Sequence, residues 1–520
     1  MMVCMYRNDR FTNNMKKHRG IAMKRKSNRL NDGIGTSHSI HQNWVETFSD
    51  SNDFVHYHTS SIDNHPFWIA YFRTLISADI LHKDVLPYIQ GRLSLIELKD
   101  IIPIQEMIIT SDSDEIIQNM MNGYMAIQLH PHDEDCLLVN IANSKFRDVG
   151  VPILEASAIG PQIGFIEELD ININLIRKRL PIADLIVKEM TVGNLSKTKV
   201  AVLYVKGIAD PENINTVIQR ITDIQYEHIQ DSSYISAMIE DNSNSLFPQS
   251  ISTERSDRVA AGLTEGKVII AVDGSPNLII LPVTFMESFI AMEDYNYSWI
   301  ISNFFRLLRF ASLFISAFVT PMYVAIMTYH YELIPARLLE PLVGSRATVP
   351  FPPFLEALFL ALMIEMVKEA GIRLPLKIGQ SLGVVGGIVI GQAVVEAGLT
   401  SNVLLIIVGL GTLASYTSPV YKFSNTIRFI KFPIIFLAAW LGLLGVYLSL
   451  IYILIHILRL TSLGRPYISN YPMRRTAFQD LWIRLPFSMQ KDNPQNLRPQ
   501  KKKKFSGNQK NPEPLNDFYE

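Results

Sequence analysis

Nearly all the long apolar runs of this 520-residue chain lie between residues 310 and 458. A helix that crosses a bilayer needs about 20 mostly apolar residues. The segments that meet this length are about 310–329, 380–398, 402–420 and 433–457. The sequence therefore predicts an α-helical polytopic membrane domain over residues 301–458, with about four spans.

A further apolar segment, residues 353–370, is interrupted by charged side chains. Proline pairs favour the start of a helix, as at Pro352 and Pro353, and Gly371 favours its end. The charged residues inside are Glu356, Glu365, Lys368 and Glu369. Such a helix is too charged to be surrounded by lipid. We expect a charged amphipathic helix that lines an ion path or contacts a neighbouring subunit, or else lies on the membrane surface.

Two faces of the 353–370 helix compete for the lining of a pore. One face combines a carboxylate with apolar side chains, which together provide cation preference and a gate that closes by dewetting. The residues of this first face are Glu356, Leu360, Met363 and Val367. The second face is typical of an ion-paired subunit contact, and its residues are Glu365 and Glu369, with Arg373 nearby. We expect the first face to line the pore.

Glycines recur at every fourth position in the segment GQSLGVVGGIVIGQAVVEAG, residues 379–398. They are Gly379, Gly383, Gly387 and Gly391. In lipid, helices associate by close packing, which small residues at this spacing permit. The stripe therefore predicts a helix–helix contact, either inside one subunit or between subunits.

Residues 1–300 have the composition of a soluble protein. Residues 1–66 are polar and rich in Asn, Ser and His, which predicts a disordered tail. A pattern of helix, glycine, strand, turn and strand then occurs twice, at 114–142 and 256–283. It predicts two α+β subdomains, residues 67–160 and residues 161–300, the second opening with a linker helix. In the second copy Asp273 and Gly274 provide the turn, with a positive φ expected at Gly274.

The chain after Arg459 is basic, with four lysines at 501–504. Basic flanks favour the cytoplasmic side, so we expect residues 459–520 to be a cytoplasmic tail, largely disordered at its end. The N-terminal region has no secretory signal and is expected in the cytoplasm too. Two ends on one side require an even number of spans. Four spans satisfy this, but they place Lys422, Arg428 and Lys431 outside, against the positive-inside trend.

Charge and motif content exclude several classes of function. The formal net charge is −1, which does not suit a nucleic-acid-binding protein. The two cysteines lack the spacing of a metal site and cannot form a disulfide framework. The cluster HPHDED at 130–135 is expected to be a hairpin turn. Because no catalytic constellation has readable spacing, we expect no enzyme activity, no cofactor and no metal ion.

Four stretches of the sequence resemble the A subunit of GerA-type spore germinant receptors. They are GPQIGFIEELDININLIRKRL (160–180), TERSDRVAAGLTEGKVIIAVDGSPNLIILPVTFMESF (253–289), EDYNYSW (293–299) and EAGIRLPLKIGQSLGVVGGIVIGQAVVEAGLTS (369–401). The resemblance implies a multi-pass protein of the spore inner membrane that triggers germination. It also implies a homo-oligomeric, nutrient-gated ion channel. The implied partners are a transporter-like B subunit, a lipoprotein C subunit and a small nutrient germinant.

The chain departs from the family pattern at several positions. Ser256 stands where the family usually has proline, and Val151, Gln162 and Ile166 replace charged or polar residues. At that junction the resemblance therefore gives no support to an ion-pair network. Two functions remain open: a channel subunit, or a non-conducting receptor or scaffold whose soluble subdomains bind germinant or partner proteins. A carrier is disfavoured because the membrane half has no visible inverted repeat.

Overall fold

The computed structural model describes residues 44, 47–60, 66–89, 94–129, 135–143, 150, 152, 155, 157, 159–373, 391–468, 483–486 and 498–500. In this part of the chain two five-stranded antiparallel sheets precede a set of packed helices. The predicted order, an α+β region followed by a helical region, is therefore confirmed.

The first sheet has the strand order β1-β2-β4-β5-β3. Its strands are Phe54–Ser60 (β1), Pro66–Phe72 (β2), Met107–Thr110 (β3), Tyr124–Gln128 (β4) and Cys136–Asn140 (β5). Successive side chains of a strand point to opposite faces, and both faces of this sheet are covered by apolar clusters. The covering helices are Leu95–Ile101 (α1) and Ser113–Met121 (α2), together with a short helical stretch of Ala78–Ile80, Leu81–Val85 and Leu86–Tyr88.

The region of the first sheet begins nearer the N-terminus than the sequence predicts. Strand β1 pairs along its whole length with β2, and Trp44 and Phe48, upstream of it, are both 1% exposed. Phe48 packs on Phe54 and Phe72, with ring centroids 5.2 and 5.0 Å apart. The predicted disordered tail, 1–66, is therefore wrong for the described residues between 44 and 60. A few aromatic side chains supply the apolar surface that the polar average composition conceals.

The second sheet repeats the topology of the first. Its order is β6-β7-β9-β10-β8, so both sheets contain a hairpin, a helical segment, one strand, a helix and a second hairpin. The strands are Leu185–Val192 (β6), Thr198–Val205 (β7), Ile251–Thr253 (β8), Val268–Val272 (β9) and Leu278–Leu281 (β10). The helices are Leu169–Arg179 (α3), Pro211–Thr222 (α4), Ser232–Ile239 (α5) and Ser256–Glu265 (α6). The repeated sequence pattern thus corresponds to a repeated fold.

The turn between β9 and β10 also holds the start of α3. Gly274 has φ +85°, as its sequence context predicts, and its N–H donates to the carbonyl of Glu167 at 2.7 Å. Asp273 Oδ1 accepts a hydrogen bond from the N–H of Leu169 at 3.2 Å. A carboxylate at the first turn of a helix satisfies an N–H group that has no partner within the helix.

Gly274→Val is expected to lower the free energy of unfolding by about 1–2 kcal/mol, the cost of a left-handed backbone for a residue with a Cβ. A Cβ at this position would meet nothing within 4 Å, so the loss reflects backbone strain alone. Gly274→Asn is the matched control, because asparagine tolerates this conformation better. Urea unfolding of the purified protein measures both, and equal stability of the valine and glycine proteins would contradict the assignment.

In the described part of the chain, residues 391–396 are helical, and six further α-helices follow the two sheets. They are Trp299–Tyr329 (α7), Ala336–Arg346 (α8), Pro353–Arg373 (α9), Asn402–Ser415 (α10), Tyr421–Leu441 (α11) and Leu443–Arg459 (α12). Within the described residues, α7 and α11 have the length and hydropathy needed to cross a membrane. Helices α10 and α12 are apolar but shorter.

Residues 433–457 are not one continuous helix, contrary to the prediction. Helix α11 ends at Leu441 and α12 begins at Leu443, with Gly442 between them at φ +61°. The two helices are antiparallel, since Ile430 and His456, near their distant ends, line the same cavity. Hydropathy could not reveal this reversal because the apolar run continues through it.

The hairpin of α11 and α12 returns the chain to the second sheet. Near the start of α11, Phe423 packs on Phe247 and Phe285, with centroids 6.1 and 5.6 Å apart. Near the end of α12, His456 Nε2 lies 2.9 Å from Ser245 Oγ. Lys422 therefore lies beside the sheets. The four-span topology, which places it on the opposite side, is corrected by this arrangement.

Candidate functional site

Helix α9, the predicted pore helix, is packed among the other helices. It runs antiparallel to α11: Phe354 meets Phe436 with centroids 5.1 Å apart, and Glu365 Oε1 lies 3.5 Å from Lys431 Nζ. From the first pair to the second, the residue number rises in α9 and falls in α11. The alternative of a helix lying alone on a membrane surface does not fit this packing.

Glu356 connects α9 to the first turn of α10. Its Oε1 accepts hydrogen bonds from the N–H of Ser401 at 2.6 Å and from the hydroxyl of Thr400 at 3.2 Å. Its Oε2 lies 3.3 Å from Arg346 Nε in an ion pair. A carboxylate is stabilised at a helix N-terminus by unpaired N–H groups and by the helix dipole. Glu356 therefore holds three helical segments together.

The predicted orientation of the first face of α9 requires correction. A side chain that lines a pore between subunits must reach the surface of its own subunit. Glu356 and Leu360 are both 0% exposed, and Leu360 belongs to an apolar cluster with residues of α7, α10 and α11. Met363 and Val367 are half-buried. Helical periodicity reveals which residues share a face, but not which face meets a neighbouring helix.

The exposed face of α9 is a different stripe. Its residues recur at intervals of three and four, and they are Leu355, Phe359, Leu362, Met366, Glu369, Ile372 and Arg373. Glu369 and Arg373 form an exposed ion pair at 2.7 Å. Of the predicted second face, these two residues are therefore together at the surface, while Glu365 is paired with Lys431 inside.

The glycine stripe lies mostly outside the described residues, since Gly379, Gly383 and Gly387 fall in the segment 374–390. A Cβ on Gly391 would lie 3.9 Å from Leu405 Cδ2, at ordinary van der Waals distance. The helix–helix contact of the full stripe stays a prediction.

A buried charge cluster fixes the start of α7, and sequence reasoning missed it. Asp294 is 0% exposed, with Arg306 Nε at 3.3 Å and Arg309 Nη1 at 2.8 Å from its Oδ2. Arg484, which follows the helices in the chain, donates to the carbonyl oxygens of Asp294 and, at 2.7 Å, of Tyr297. Arg306 and Arg309, spaced three apart at the start of an apolar run, are a signal that could have suggested this junction.

Ion pairs also join α6 and the residues just after it to segments before and after the second sheet region. Arg258 Nη1 lies 3.1 Å from Glu155 Oε1, and Lys267 Nζ lies 2.5 Å from Glu287 Oε2. Glu287 belongs to the 3-10 helix Phe285–Phe289, ten residues before α7. The junction around Glu155 therefore does contain an ion pair, although the sequence departs from the family pattern nearby.

The two sheets are joined by a buried ion pair. Arg177 of α3 donates from Nε to Asp53 Oδ2 at 2.6 Å and from Nη2 to Asp53 Oδ1 at 2.7 Å. The side chains are 1% and 0% exposed. Burial alone would raise the pKa of Asp53, but the charge and hydrogen bonds of Arg177, with those of Ser51 and Thr74, hold it below its usual value.

A small polar cavity of about 110 Å³ lies between the second sheet region and the start of α11. The acidic and basic residues that line it are Glu155, Asp231, Glu254 and Lys422. Burial would raise the pKa of Asp231, but hydrogen bonds from Ser275, Ser233 and Ser232 hold it below its usual value. Among the described residues, no three His, Cys, Asp or Glu side chains are arranged to hold a metal ion.

Comparison with known proteins places the chain among spore germination proteins. The family model described as Bacillus/Clostridium GerA spore germination protein matches residues 42–496. Spore germination protein GerIA of Bacillus cereus is 46% identical over 90% of this chain and 70% of its own length. GerQA of the same species is 48% identical over 86% and 90%.

A solved structure also matches in part. The crystal structure of the N-terminal domain of the A subunit of the Bacillus megaterium spore germinant receptor GerK3 covers 47% of this chain and 93% of that domain. The identity is 24% and the TM-score is 0.35. From the family match and the relatives, the chain belongs to the GerA family of spore germination proteins.

Proposed function

We propose that this protein is the membrane subunit of a nutrient germinant receptor and forms an oligomeric, nutrient-gated ion channel that triggers germination. It works with a transporter-like subunit and a lipoprotein subunit in the spore inner membrane. The sheets and the basic C-terminal tail face the cytoplasm. Membership of the GerA family supports the receptor role, because the similar relatives are named spore germination proteins.

The observation that carries the channel proposal is the burial of ionisable side chains between apolar helices. Glu365 of α9 lies beside Lys431 of α11, and Arg428 of α11 is 3% exposed. Charged groups between membrane helices are costly and are usually kept for ion paths or for contacts with partners. A purely structural membrane anchor would have no need of them.

The pore is best formed by the exposed face of α9. Leu362 and Met366 are 47% and 72% exposed, and Glu369 follows one turn later. In a ring of subunits with this face toward the axis, Leu362 and Met366 make an apolar constriction. Glu369 makes a ring of carboxylates, in each of which Arg373 binds Oε1 and leaves Oε2 to face an ion. The combination provides a gate that closes by dewetting and a preference for cations.

Met366→Ala is expected to open the gate without nutrient. The substitution removes about 1–2 kcal/mol of apolar burial per subunit in the closed state, which favours opening by at least about tenfold. Germination of spores in nutrient-free buffer measures the effect. Leu339→Ala on α8, which also shortens an exposed apolar side chain, is the control and should leave dormancy intact. Normal dormancy of the Met366→Ala spores would exclude this face as the gate.

Nutrient binding must be coupled to this gate, and the junction before α7 provides the connection. Asp294 with its two arginines and Glu287 with Lys267 bind the start of α7 to the second sheet region. A buried ion-pair network has few alternative arrangements of similar energy. A movement of the sheets would therefore be carried into the helices.

A non-conducting receptor is the second candidate, and the polar cavity beside Lys422 favours it. Carboxylates and an amine line this cavity, whose volume of about 110 Å³ would admit only a very small polar nutrient. Calorimetric titration of the purified chain with candidate nutrients, repeated with Lys422→Met, tests this function. Binding that depends on Lys422, combined with no conductance by the chain, would favour the receptor over the channel.

A further inference from the structure

Two basic side chains from different helices converge on one amide oxygen. Lys368 Nζ of α9 lies 3.4 Å from Asn425 Oδ1 of α11, and Arg428 Nη2 donates to the same oxygen. Like charges so close together repel each other, and a neutral amide does not cancel their charge. The arrangement requires a nearby negative group.

The described residues supply less negative charge than this cluster needs. Lys431 is 3% exposed and pairs with Glu365, which leaves Lys368 and Arg428 in excess. Arg428 Nη1 is buried and has no hydrogen-bond partner in the described part of the chain. Residues 374–390, which follow α9, contain neither aspartate nor glutamate. A buried guanidinium N–H without an acceptor is costly, which indicates a missing anion.

Two partly exposed tyrosines pack against this cluster. The Tyr416 ring lies 5.1 Å from the Arg428 guanidinium and 5.6 Å from Lys368 Nζ, and the Tyr421 ring lies 5.9 Å from Lys368 Nζ. The tyrosines are 52% and 45% exposed. Tyrosine is enriched where a membrane meets water, because its ring is apolar and its hydroxyl is polar.

The depth of the cluster matches a lipid headgroup layer. Helix α11 begins beside the sheets, and Arg428 and Lys431 follow about 10–15 Å along it at about 1.5 Å per residue. This step rests on the proposed function, in which α11 crosses the membrane and the sheets lie in the cytoplasm. The cluster then lies near the cytoplasmic headgroups, where basic pockets between helices bind anionic lipids.

We propose that Lys368 and Arg428, with Lys431 behind them, bind the phosphate of an anionic phospholipid on the sheet side of the membrane. The free N–H of Arg428 and the ammonium of Lys368 are the donors that a phosphate oxygen requires. The bound lipid neutralises the excess charge and stabilises the contact between α9 and α11.

The test compares full-length protein in nanodiscs of phosphatidylcholine with and without phosphatidylglycerol. Native mass spectrometry counts the phosphatidylglycerol that each protein retains. We expect the unmodified protein to retain it, and Arg428→Gln and Lys368→Gln to bind it about fivefold more weakly for each charge removed. Arg337→Gln, which removes an exposed arginine of α8, is the control and should retain the lipid. Lys368→Gln changes a half-buried side chain, so the test does not depend on the fold tolerating a change at Arg428.

Three results would overturn the proposal. The first is equal lipid retention by all the proteins. The second is that inorganic phosphate stabilises the protein in pure phosphatidylcholine discs as much as phosphatidylglycerol does, which would indicate that the site binds a free anion. The third is loss of the oligomer in both glutamine variants with lipid retention unchanged, which would indicate a carboxylate of a second copy. If the protein conducts ions but phosphatidylglycerol has no effect on any variant, only this inference is wrong. If the protein fails to enter the discs, the proposed position of α11 in the membrane is wrong as well.

Discussion

Arg177→Ala is expected to lower the free energy of opening of the two-sheet region by about 3–5 kcal/mol, because it leaves the carboxylate of Asp53 buried without its partner. Asp53 lies beside β1 and Arg177 lies in α3, so the loss loosens the contact between the two sheets. Hydrogen–deuterium exchange of peptides from 54–72 and 169–179 in the full-length protein measures it. We expect protection to fall in both segments together.

Arg73→Ala is the matched control for this experiment. Arg73 pairs with Asp170 at 3.1 Å and Glu189 at 2.6 Å across the same contact, but its side chain is 41% exposed. Exposed ion pairs contribute about 0–1 kcal/mol, so a small effect is expected. If both alanine variants lost equal protection, burial would not explain the role of Arg177.

Acid should weaken the same contact. The pKa of Asp53 is lowered in the folded protein, so its contribution to stability is present above the usual carboxyl range. That contribution is lost as the pH falls through the lowered pKa of the folded state. The Arg177→Ala protein should lose less stability over this range than the unmodified protein.

Glu356→Ala is expected to lower the free energy of unfolding by about 3–5 kcal/mol, because two hydrogen bonds to a charged acceptor are lost at the start of α10. Exchange of the amides of Ser401 and of the first turn of α10 should increase, and the purified protein should unfold at a lower temperature. Glu369→Ala is the control: Glu369 is on the same helix but its ion pair with Arg373 is exposed, so little change is expected.

A substitution at Glu356 also distinguishes between the two possible orientations of α9. If Glu356 lined a pore, Glu356→Gln would change ion selectivity and leave stability intact. Its burial against α10 predicts the reverse, a loss of stability with unchanged selectivity in the protein that still folds. Glu369→Gln should instead reduce the preference for cations.

The fold of the two sheet regions could be predicted wherever a helix, strand or turn has a recognisable local sequence pattern. The repeated unit of helix, glycine, strand, turn and strand required only local periodicity and the turn residues around Gly274. The start of the first sheet could not be predicted in this way. Trp44 and Phe48 are isolated in a polar segment, and they matter only because distant strands provide a core for them.

The arrangement of the helices depended on contacts that sequence patterns do not encode. Hydropathy identified the apolar runs, but it did not reveal the reversal at Gly442 or which side of α9 meets α10. Glu356 looks the same in the sequence whether it faces a pore or the N-terminus of another helix. Its partners Thr400 and Ser401 lie 44 and 45 residues away, beyond any local pattern.

Conductance of the purified protein in a planar bilayer decides whether this subunit forms the channel. We expect discrete cation-selective currents, low at rest and raised by nutrient in the presence of the partner subunits. Met366→Ala should raise the resting current of the protein alone. Bilayers that contain correctly folded oligomers but carry no current under any of these conditions would contradict the claim that this subunit forms the channel.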